Sequence, residues 1–307
     1  MGRYIVKRLG IGIISLFVLV TVTFFLTRLM PGSPFQSGAV SEQIVAALEE
    51  QYGLSEPLPV QYGTYLRNLL KGDLGISYQK PGVTVSDVIS RAWPITAGIG
   101  LPAIVIALFL GTLMGIWQAT TKHTAVRSGI FIGTVLGTAI PNFVIALVLM
   151  FLFGQTLKLF PIVGLTSPAH YVLPVISLSI YPTAVVTRMM KNAFSEEMDK
   201  EYVIMAKAKG FTKHQVTVSH ILKNAWIPVL NYIGPAAAFL ITGSFVIENI
   251  FTIPGLGREF VLSISNRDYT MIMGLTIFMG MVVIVINLLT DLLCAVISPQ
   301  IRRSSRI

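Results

Sequence analysis

Residues 94–121 read PITAGIGLPAIVIALFLGTLMGIWQATT and contain no Asp, Glu, Lys or Arg. A bilayer core about 30 Å thick is crossed by about 20 residues of helix, so this stretch is long enough to span a membrane. Five further runs are equally free of charge: residues 9–27, 128–157, 171–187, 224–247 and 269–290. Backbone groups in hydrocarbon must be hydrogen-bonded within a helix or a closed barrel, and the alternating pattern of barrel strands is missing here. The sequence therefore predicts an all-α membrane protein with six transmembrane helices.

The composition of the whole chain agrees with this fold class. Of its 307 residues, 53% are hydrophobic and 12% are charged, whereas an ordinary soluble domain is about 25% charged. The formal net charge of +9 would indicate nucleic acid in a soluble protein, but here the apolar excess favours membrane lipid as the partner and no nucleic acid. The single cysteine, Cys294, excludes a disulfide framework within the chain.

The runs divide the chain into four parts. These are an N-terminal transmembrane helix in residues 1–30, an extracytoplasmic segment in 31–92, a core in 93–298 and a basic tail in 299–307. Within the core, helices are expected at about 94–119, 129–155, 171–190, 227–247 and 271–297. The first run follows basic residues, as a signal peptide does, but it is too long and no small-residue cleavage site follows it closely. The segment 31–92 is expected to be folded, because Ile44, Leu48 and Tyr52 recur at helical spacing.

Lysine and arginine predict the orientation, because they are enriched in cytoplasmic loops. With the N-terminus in the cytoplasm, an even number of spans brings both termini to that side. Fifteen of the 23 basic residues then lie inside, namely Arg3, Lys7, Arg8, Lys122, Arg127, Arg188, Lys191, Lys200, Lys207, Lys209, Lys213, Lys223, Arg302, Arg303 and Arg306.

The loop between the fourth and fifth runs has a distinctive pattern. It reads EYVIMAKAKGF over residues 201–211, where Ala206, Ala208 and Gly210 form a patch of small residues flanked by lysines. A short helix with a small face can seat in the groove of another protein while its lysines meet an acidic rim. Composition alone favours the alternative, a solvated basic loop that follows the enrichment of basic residues on the cytoplasmic side.

This loop resembles the EAA loop of binding-protein-dependent ABC importer permeases, in the form that the peptide and nickel branch uses. The matching residues are Tyr202, Ala206, Ala208, Lys209, Gly210, His220, Leu222, Asn224 and Pro228. Ile204, Met205, His220 and Lys223 depart from the general pattern of the loop in the way expected of the peptide branch. Residues 52–62, 72–75, 251–258 and 267–269 are similar to the outer segments of the same branch, and residues 30–35 are most similar to the B subunit of oligopeptide permeases.

The resemblance implies a type I ABC importer permease fold in a multi-pass protein of the bacterial inner membrane. It implies three kinds of protein partner: a homologous second permease subunit, two ABC ATPase subunits and an extracytoplasmic peptide-binding protein. The implied substrate is an oligopeptide. A dipeptide or nickel permease is the alternative. The loop 196–226, with Glu201 and the matching residues, is implied to couple to the ATPases.

No cofactor, metal or catalytic residue is expected in this chain. ATP and Mg would be bound by the ATPase subunits, and no Gly-x4-Gly-Lys-[Ser/Thr] phosphate loop occurs in the sequence. The four histidines, at 123, 170, 214 and 220, lack metal-ligand spacing.

Four residues within the runs are candidates for lining a translocation cavity: Asn142, Tyr181, Asn231 and Tyr232. Hydrogen bonding between helices is the alternative for each. A more distant alternative function is ion-coupled secondary transport, but the chain of intramembrane acids that a proton relay needs is missing. Asp291 is the deepest acid and is expected to reach lipid headgroups or the basic residues of the tail.

Overall fold

Helices make up most of the computed structural model, which describes residues 2–31, 33–35 and 42–297. The tail 299–307 lies outside the described residues. Within them, the α-helices are α1 (Gly2–Leu29), α2 (Glu42–Gln51), α3 (Leu58–Leu70), α4 (Val85–Thr120), α5 (Thr124–Ala139), α6 (Asn142–Leu149), α7 (Ala169–Met198), α8 (Glu201–Ala208), α9 (Lys213–Gln215), α10 (Lys223–Thr242), α11 (Phe245–Ile250), α12 (Leu256–Ser265) and α13 (Tyr269–Ile297). Two π-helical stretches, Met150–Thr156 and Val216–Leu222, extend α6 and join α9 to α10.

The bundle crosses the membrane six times. Five helical segments are each long and apolar enough to cross a membrane. The helices α5 and α6 are long and apolar enough only when they are taken together, and they are bent by 106° at the break between them. The helices α4 and α7 run parallel, because Gly98 lies against Tyr171 and Gly115 against Met190. The chain between two parallel helices must cross once, so the bent pair is one broken span. The expected all-α fold with six spans is confirmed.

The break between α5 and α6 was not expected, since residues 129–155 were predicted to form one helix. Its cause is Pro141, which disfavours the helical conformation of the residue before it. Ile140 is extended, with φ −84° and ψ 124°. A second break separates α10 from α11 at Gly243, whose φ of 116° is open to glycine and strained for other residues.

The helix α4 begins at Val85 rather than near residue 94, inside the expected extracytoplasmic segment. A capping box explains this start: Asp87 N donates to Thr84 Oγ1 and Thr84 N donates to the Asp87 carboxylate, both at 3.1 Å. The hydrogen bonds to Thr84 lower the pKa of Asp87. Charged first turns outside the apolar run therefore lengthen the helix beyond its membrane-spanning part.

Close packing between α4 and α7 forms the centre of the bundle. A Cβ at Gly111 would lie 2.7 Å from Val186 Cβ, and one at Gly115 would lie 2.7 Å from the carbonyl oxygen of Thr187. These glycines thus allow close approach of two backbones. A Cβ at Gly133 would meet nothing within 4 Å.

The helix α1 packs antiparallel along α13. Arg8 Nε lies 3.1 Å from Asp291 Oδ2, and a Cβ at Gly280 would meet Leu19 Cδ2 at 2.5 Å. The partner of Asp291 within the described residues is therefore Arg8, whereas the basic tail residues lie outside them. The ion pair also places the start of α1 beside the end of α13, as an even number of spans requires.

The loops gather at two opposite ends of the bundle. The α3 end carries α2, α3, α11 and α12, and it is tied together by an ion pair of 2.7 Å between Lys80 and Glu259. There Asp268 also accepts a hydrogen bond of 3.1 Å from Tyr78 N. The α8 end carries α8, α9 and the pair of Arg8 with Asp291.

Candidate functional site

A cavity of about 490 Å³ lies where α5 breaks into α6. Its other walls come from the middle of α7 and of α10. Three of the four residues predicted to line a cavity are brought together here: Asn142, Tyr181 and Tyr232. The remaining lining residues are Thr138, Ala139, Ile140, Pro141, Leu178, Pro182, Ala236, Phe239 and Leu240.

The cavity offers few polar groups in an apolar wall, which is the usual character of a small-molecule site. Asn142 Oδ1 is buried without a hydrogen-bond partner in the described residues. Pro182 has no N–H to donate to the carbonyl of Leu178, one turn earlier in α7. An amide oxygen and an aromatic hydroxyl beside such a backbone can accept and donate hydrogen bonds to a polar substrate.

Asn231, the fourth candidate, does not line this cavity. Its Oδ1 lies 3.5 Å from Cys294 Sγ on α13, which fits the alternative of a contact between helices. Successive residues of a helix point about 100° apart, so Asn231 and Tyr232 face different neighbours.

The helix α8 is held to its neighbours by a small polar network at the α8 end. The Tyr202 hydroxyl donates to the Glu197 carboxylate at the end of α7 and accepts from Asn224 Nδ2 at 2.9 Å. Asn224 also donates to the carbonyl of His220 at 3.3 Å. Burial, followed by the hydrogen bond to Glu197, raises the pKa of Tyr202. Two residues of the sequence motif thus fix α8 against α7 and α10.

One side of α8 is buried against the chain itself. Val203 is 0% and Ala206 5% exposed, and both belong to the main hydrophobic core. The expectation that Ala206 forms part of a surface for a partner is therefore not met. A helix presents residues three apart on the same face, so Val203 and Ala206 turn inward together.

The opposite side of α8 is exposed and largely apolar. Ile204 and Met205 are 58% and 59% exposed, and Phe211 is 45% exposed just beyond the helix. Sequence reasoning treated the first two only as departures from a motif, although helical spacing from the buried Val203 and Ala206 already points them outward. We call Ile204, Met205 and Phe211 the apolar face of α8.

Four further motif residues in or next to α8 are exposed: Glu201, Ala208, Lys209 and Gly210. Gly210 also ends the helix, because its φ is 83°, and the bonds Gly210 N to Lys207 O at 3.0 Å and Phe211 N to Ala206 O at 3.3 Å form a Schellman motif.

Two other motif residues, His220 and Pro228, lie further along the chain. The His220 ring packs edge-on against Phe211, with centroids 5.6 Å apart, and Pro228 lies half-buried within α10.

Glu248 directly follows the charge-free run 224–247 and is a buried acid that the sequence motifs did not single out. Its carboxylate is 3% exposed and accepts from Thr96 Oγ1 at 2.9 Å and from Arg258 N at 2.8 Å. Thr96 Oγ1 in turn accepts from Leu256 N at 2.8 Å. The carboxylate thereby joins α11 and the start of α12 to α4. A hint in the sequence is the cluster of Gly243, Gly255 and Gly257 around this acid.

We expect the network at Tyr202 to be cooperative. Tyr202→Phe and Asn224→Ala should each lower the free energy of unfolding by about 1–2 kcal/mol, because each removes the bond between the two side chains and one further hydrogen bond, to Glu197 or to the His220 carbonyl. The double variant should lose less than the sum, with a coupling energy of about 0.5–1 kcal/mol, since both changes break the same bond. Denaturant unfolding of the purified chain in detergent measures these values. Lys213→Ala, an exposed residue of the same loop, is the control; strict additivity would contradict the network.

The fold and the loop define a membrane-embedded transport subunit, and comparison with known proteins gives its family. The model of the binding-protein-dependent transport system inner membrane component matches residues 111–303. The model of the N-terminal part of such membrane components matches residues 1–100. The chain belongs to the family of binding-protein-dependent transport system inner membrane components, and the resemblance inferred from its motifs is confirmed.

Relatives align along almost the whole chain. The dipeptide transport system permease protein DppB of Bacillus subtilis is 39% identical over 303 residues, covering 98% of both chains. The oligopeptide transport system permease protein OppB of Haemophilus influenzae is 38% identical over 305 residues, covering 98% of this chain and all of the relative. The chain is thus a peptide ABC importer permease and a multi-pass membrane protein.

Solved structures show the same fold at low identity. The MetNI methionine ABC transporter, in inward facing conformations, matches with a TM-score of 0.54 and 13% identity, over 69% of this chain and 96% of that chain. An amino acid ABC transporter crystallised with histidines matches with a TM-score of 0.52 and 15% identity, over 69% and 92% of the two chains. The fold is that of type I ABC importer permeases.

Proposed function

We propose that this chain is one of two permease subunits of an ATP-driven importer for oligopeptides in the bacterial inner membrane. The full-length similarity to peptide permeases carries the proposal. Relatives named for dipeptides and for oligopeptides are about equally similar, and the segment 30–35 is the reason to prefer oligopeptides. The importer would include a second permease, two ATPases that bind ATP and Mg, and an extracytoplasmic peptide-binding protein.

In this proposal the α8 end faces the cytoplasm and the ATPases. The exposed lysines Lys207, Lys209 and Lys213 lie at this end, which agrees with the enrichment of basic residues in cytoplasmic loops. The apolar face of α8 would fill a groove of an ATPase subunit, and the lysines would meet its acidic rim.

The proposed mechanism couples movement of α8 to the broken span. The polar network of Tyr202 links α8 to the ends of α7 and α10, and these two helices form walls of the cavity at the break. A displacement of α8 when the ATPases close would therefore tilt α7 and α10 and change which side the cavity opens to. The peptide backbone would contact Asn142, Tyr181 and Tyr232 in the cavity.

We expect the triple variant Asn142→Ala, Tyr181→Ala, Tyr232→Ala to raise the KM for peptide uptake about tenfold or more, because it removes three hydrogen-bonding groups from the cavity. ATP-dependent uptake of a labelled pentapeptide and a labelled dipeptide, measured with the whole importer in proteoliposomes, tests both lining and substrate class. Asn231→Ala, next to Tyr232 but outside the cavity, is the control. An unchanged KM in the triple variant would refute the lining role of the three residues. If the wild-type importer took up the dipeptide but not the pentapeptide, the preference for oligopeptides would be refuted.

A further inference from the structure

A second cavity, of about 540 Å³, lies at the α3 end between α3, the loop before α4, the end of α1 and the start of α13. It shares no lining residue with the cavity at the break of α5 and α6. Its polar wall includes Arg28, Gln61 and Tyr65, and its apolar wall includes Leu74 and Met273. None of the functions above uses this cavity.

Arg28 is held in a fixed position within the wall. Its Nε donates to Gln61 Oε1 at 2.8 Å, and Gln61 Nε2 donates to the carbonyls of Leu54 and Glu56 at 2.9 and 2.7 Å. The guanidinium also lies 4.9 Å from the centre of the Phe24 ring. The side chains of Tyr78 and Tyr269 also lie against the guanidinium, whose carbon is 5.3 Å from the centre of the Tyr269 ring. Within the described residues, Nη1 is the buried nitrogen of Arg28 that these contacts leave without a hydrogen-bond partner.

Two donors in this cavity have no acceptor within the described residues. They are Arg28 Nη1 and the Tyr65 hydroxyl, both buried, and in that part of the chain no carboxylate lies within 4.0 Å of the Arg28 nitrogens to form an ion pair. Arginine stays charged in proteins, and leaving one of its buried N–H groups without an acceptor is unfavourable. A guanidinium beside a phenol hydroxyl is suited to bind the oxygens of a phosphate.

The surroundings of the cavity indicate that the phosphate belongs to a lipid. The helix α1, which supplies Arg28, is the least buried of the candidate spans, with 17% of its most apolar stretch inside the protein, so most of its apolar surface is left uncovered by the rest of the chain. Leu29 is 78% and Val60 50% exposed beside the cavity. An acyl chain leaving the site would therefore run along apolar surface.

Acidic residues in the same lining favour a particular headgroup. Glu56 and Asp73 line the cavity together with Arg28, so the site carries both signs of charge. A headgroup with a phosphate and a terminal ammonium matches such a site, whereas a headgroup with negative charge alone does not.

We propose that this cavity binds a phospholipid of the ethanolamine type from the adjacent leaflet, with its phosphate on Arg28 and Tyr65 and its ammonium towards Glu56 and Asp73. The lipid would join the N-terminal helix and α3 to the start of α13. The proposal depends on the membrane-spanning fold and does not depend on which peptide is transported.

Native mass spectrometry of the intact transporter, purified from membranes and equilibrated with phosphatidylethanolamine or phosphatidylglycerol at equal concentration, tests the site. We expect Arg28→Gln to retain at least tenfold less phosphatidylethanolamine than the wild type, and Tyr65→Phe about threefold less. Arg67→Gln removes the same charge from an exposed position of α3 and should retain as much as the wild type. If Arg28→Gln fails to assemble, Tyr65→Phe alone decides.

Three results would overturn the proposal. The first is wild-type retention in both cavity variants, and the second is a preference for phosphatidylglycerol. The third is displacement of the lipid by millimolar glycerophosphoethanolamine or by a transported peptide, which would indicate a site for a soluble ligand.

Discussion

Replacing Met205 by aspartate is expected to abolish peptide uptake by the assembled importer. Met205 is 59% exposed on the apolar face of α8, so the charge is tolerated by the free chain. If this face fills a groove of an ATPase, the same charge is buried there without a partner, which costs about 3–5 kcal/mol. Binding of the ATPase and uptake should fall by about two orders of magnitude or more. Co-purification of the ATPase subunits and ATP-dependent uptake in proteoliposomes measure the two effects.

Two variants separate this effect from a general disturbance of the loop. Met205→Leu keeps an apolar side chain and should retain most of the uptake. His214→Asp places the same negative charge at an exposed position of α9 and should also retain it. Uptake by Met205→Asp at the level of Met205→Leu, or an equal loss in His214→Asp, would show that the apolar face of α8 does not contact the ATPase.

The number of spans could be predicted from the sequence because apolar length is a property of one segment at a time. The break at Pro141 could not, since Pro102, Pro174 and Pro182 lie inside continuous helices. Whether a proline interrupts a span depends on which neighbouring helices accommodate the missing hydrogen bond. The ends of α4 and α7 also extend past the apolar runs, because helices continue into charged turns outside the membrane.

For the candidate site, as for the fold, the sequence indicated the segments involved but not how their side chains are arranged. The motif indicated which loop to examine, but it did not show that Ala206 is buried or that Met205 is exposed. Four polar residues within the runs were candidates for lining a cavity, and only the folded bundle separates Asn142, Tyr181 and Tyr232, which share one cavity, from Asn231. The network of Glu248 was least accessible, because Thr96 and Arg258 are far apart in the chain and meet only when α12 packs on α4.

Replacing Glu248 by alanine is expected to be the most destabilising single change at the α3 end. The substitution leaves the Thr96 hydroxyl and the Arg258 N–H buried without their acceptor, and each such loss costs about 1–3 kcal/mol. It also opens a space where the carboxylate fits against Gly255, whose Cβ would lie only 2.5 Å from the Glu248 Cδ. We expect the free energy of unfolding to fall by about 3 kcal/mol or more, measured by denaturant unfolding of the purified chain.

Glu248→Gln and Glu259→Ala show whether the loss comes from the missing acceptor. Glutamine keeps one acceptor oxygen, so its variant should lie between the wild type and Glu248→Ala. Glu259 lies nearby on α12 and pairs with Lys80 at 2.7 Å, where the lysine side chain is 44% exposed; exposed pairs contribute about 0–1 kcal/mol, so Glu259→Ala should change little. If Glu248→Ala were no less stable than Glu259→Ala, the carboxylate would not be what holds α11 and α12 to α4. The docking of these helices would then rest on apolar contacts such as those of the fully buried Leu256 and Ile253.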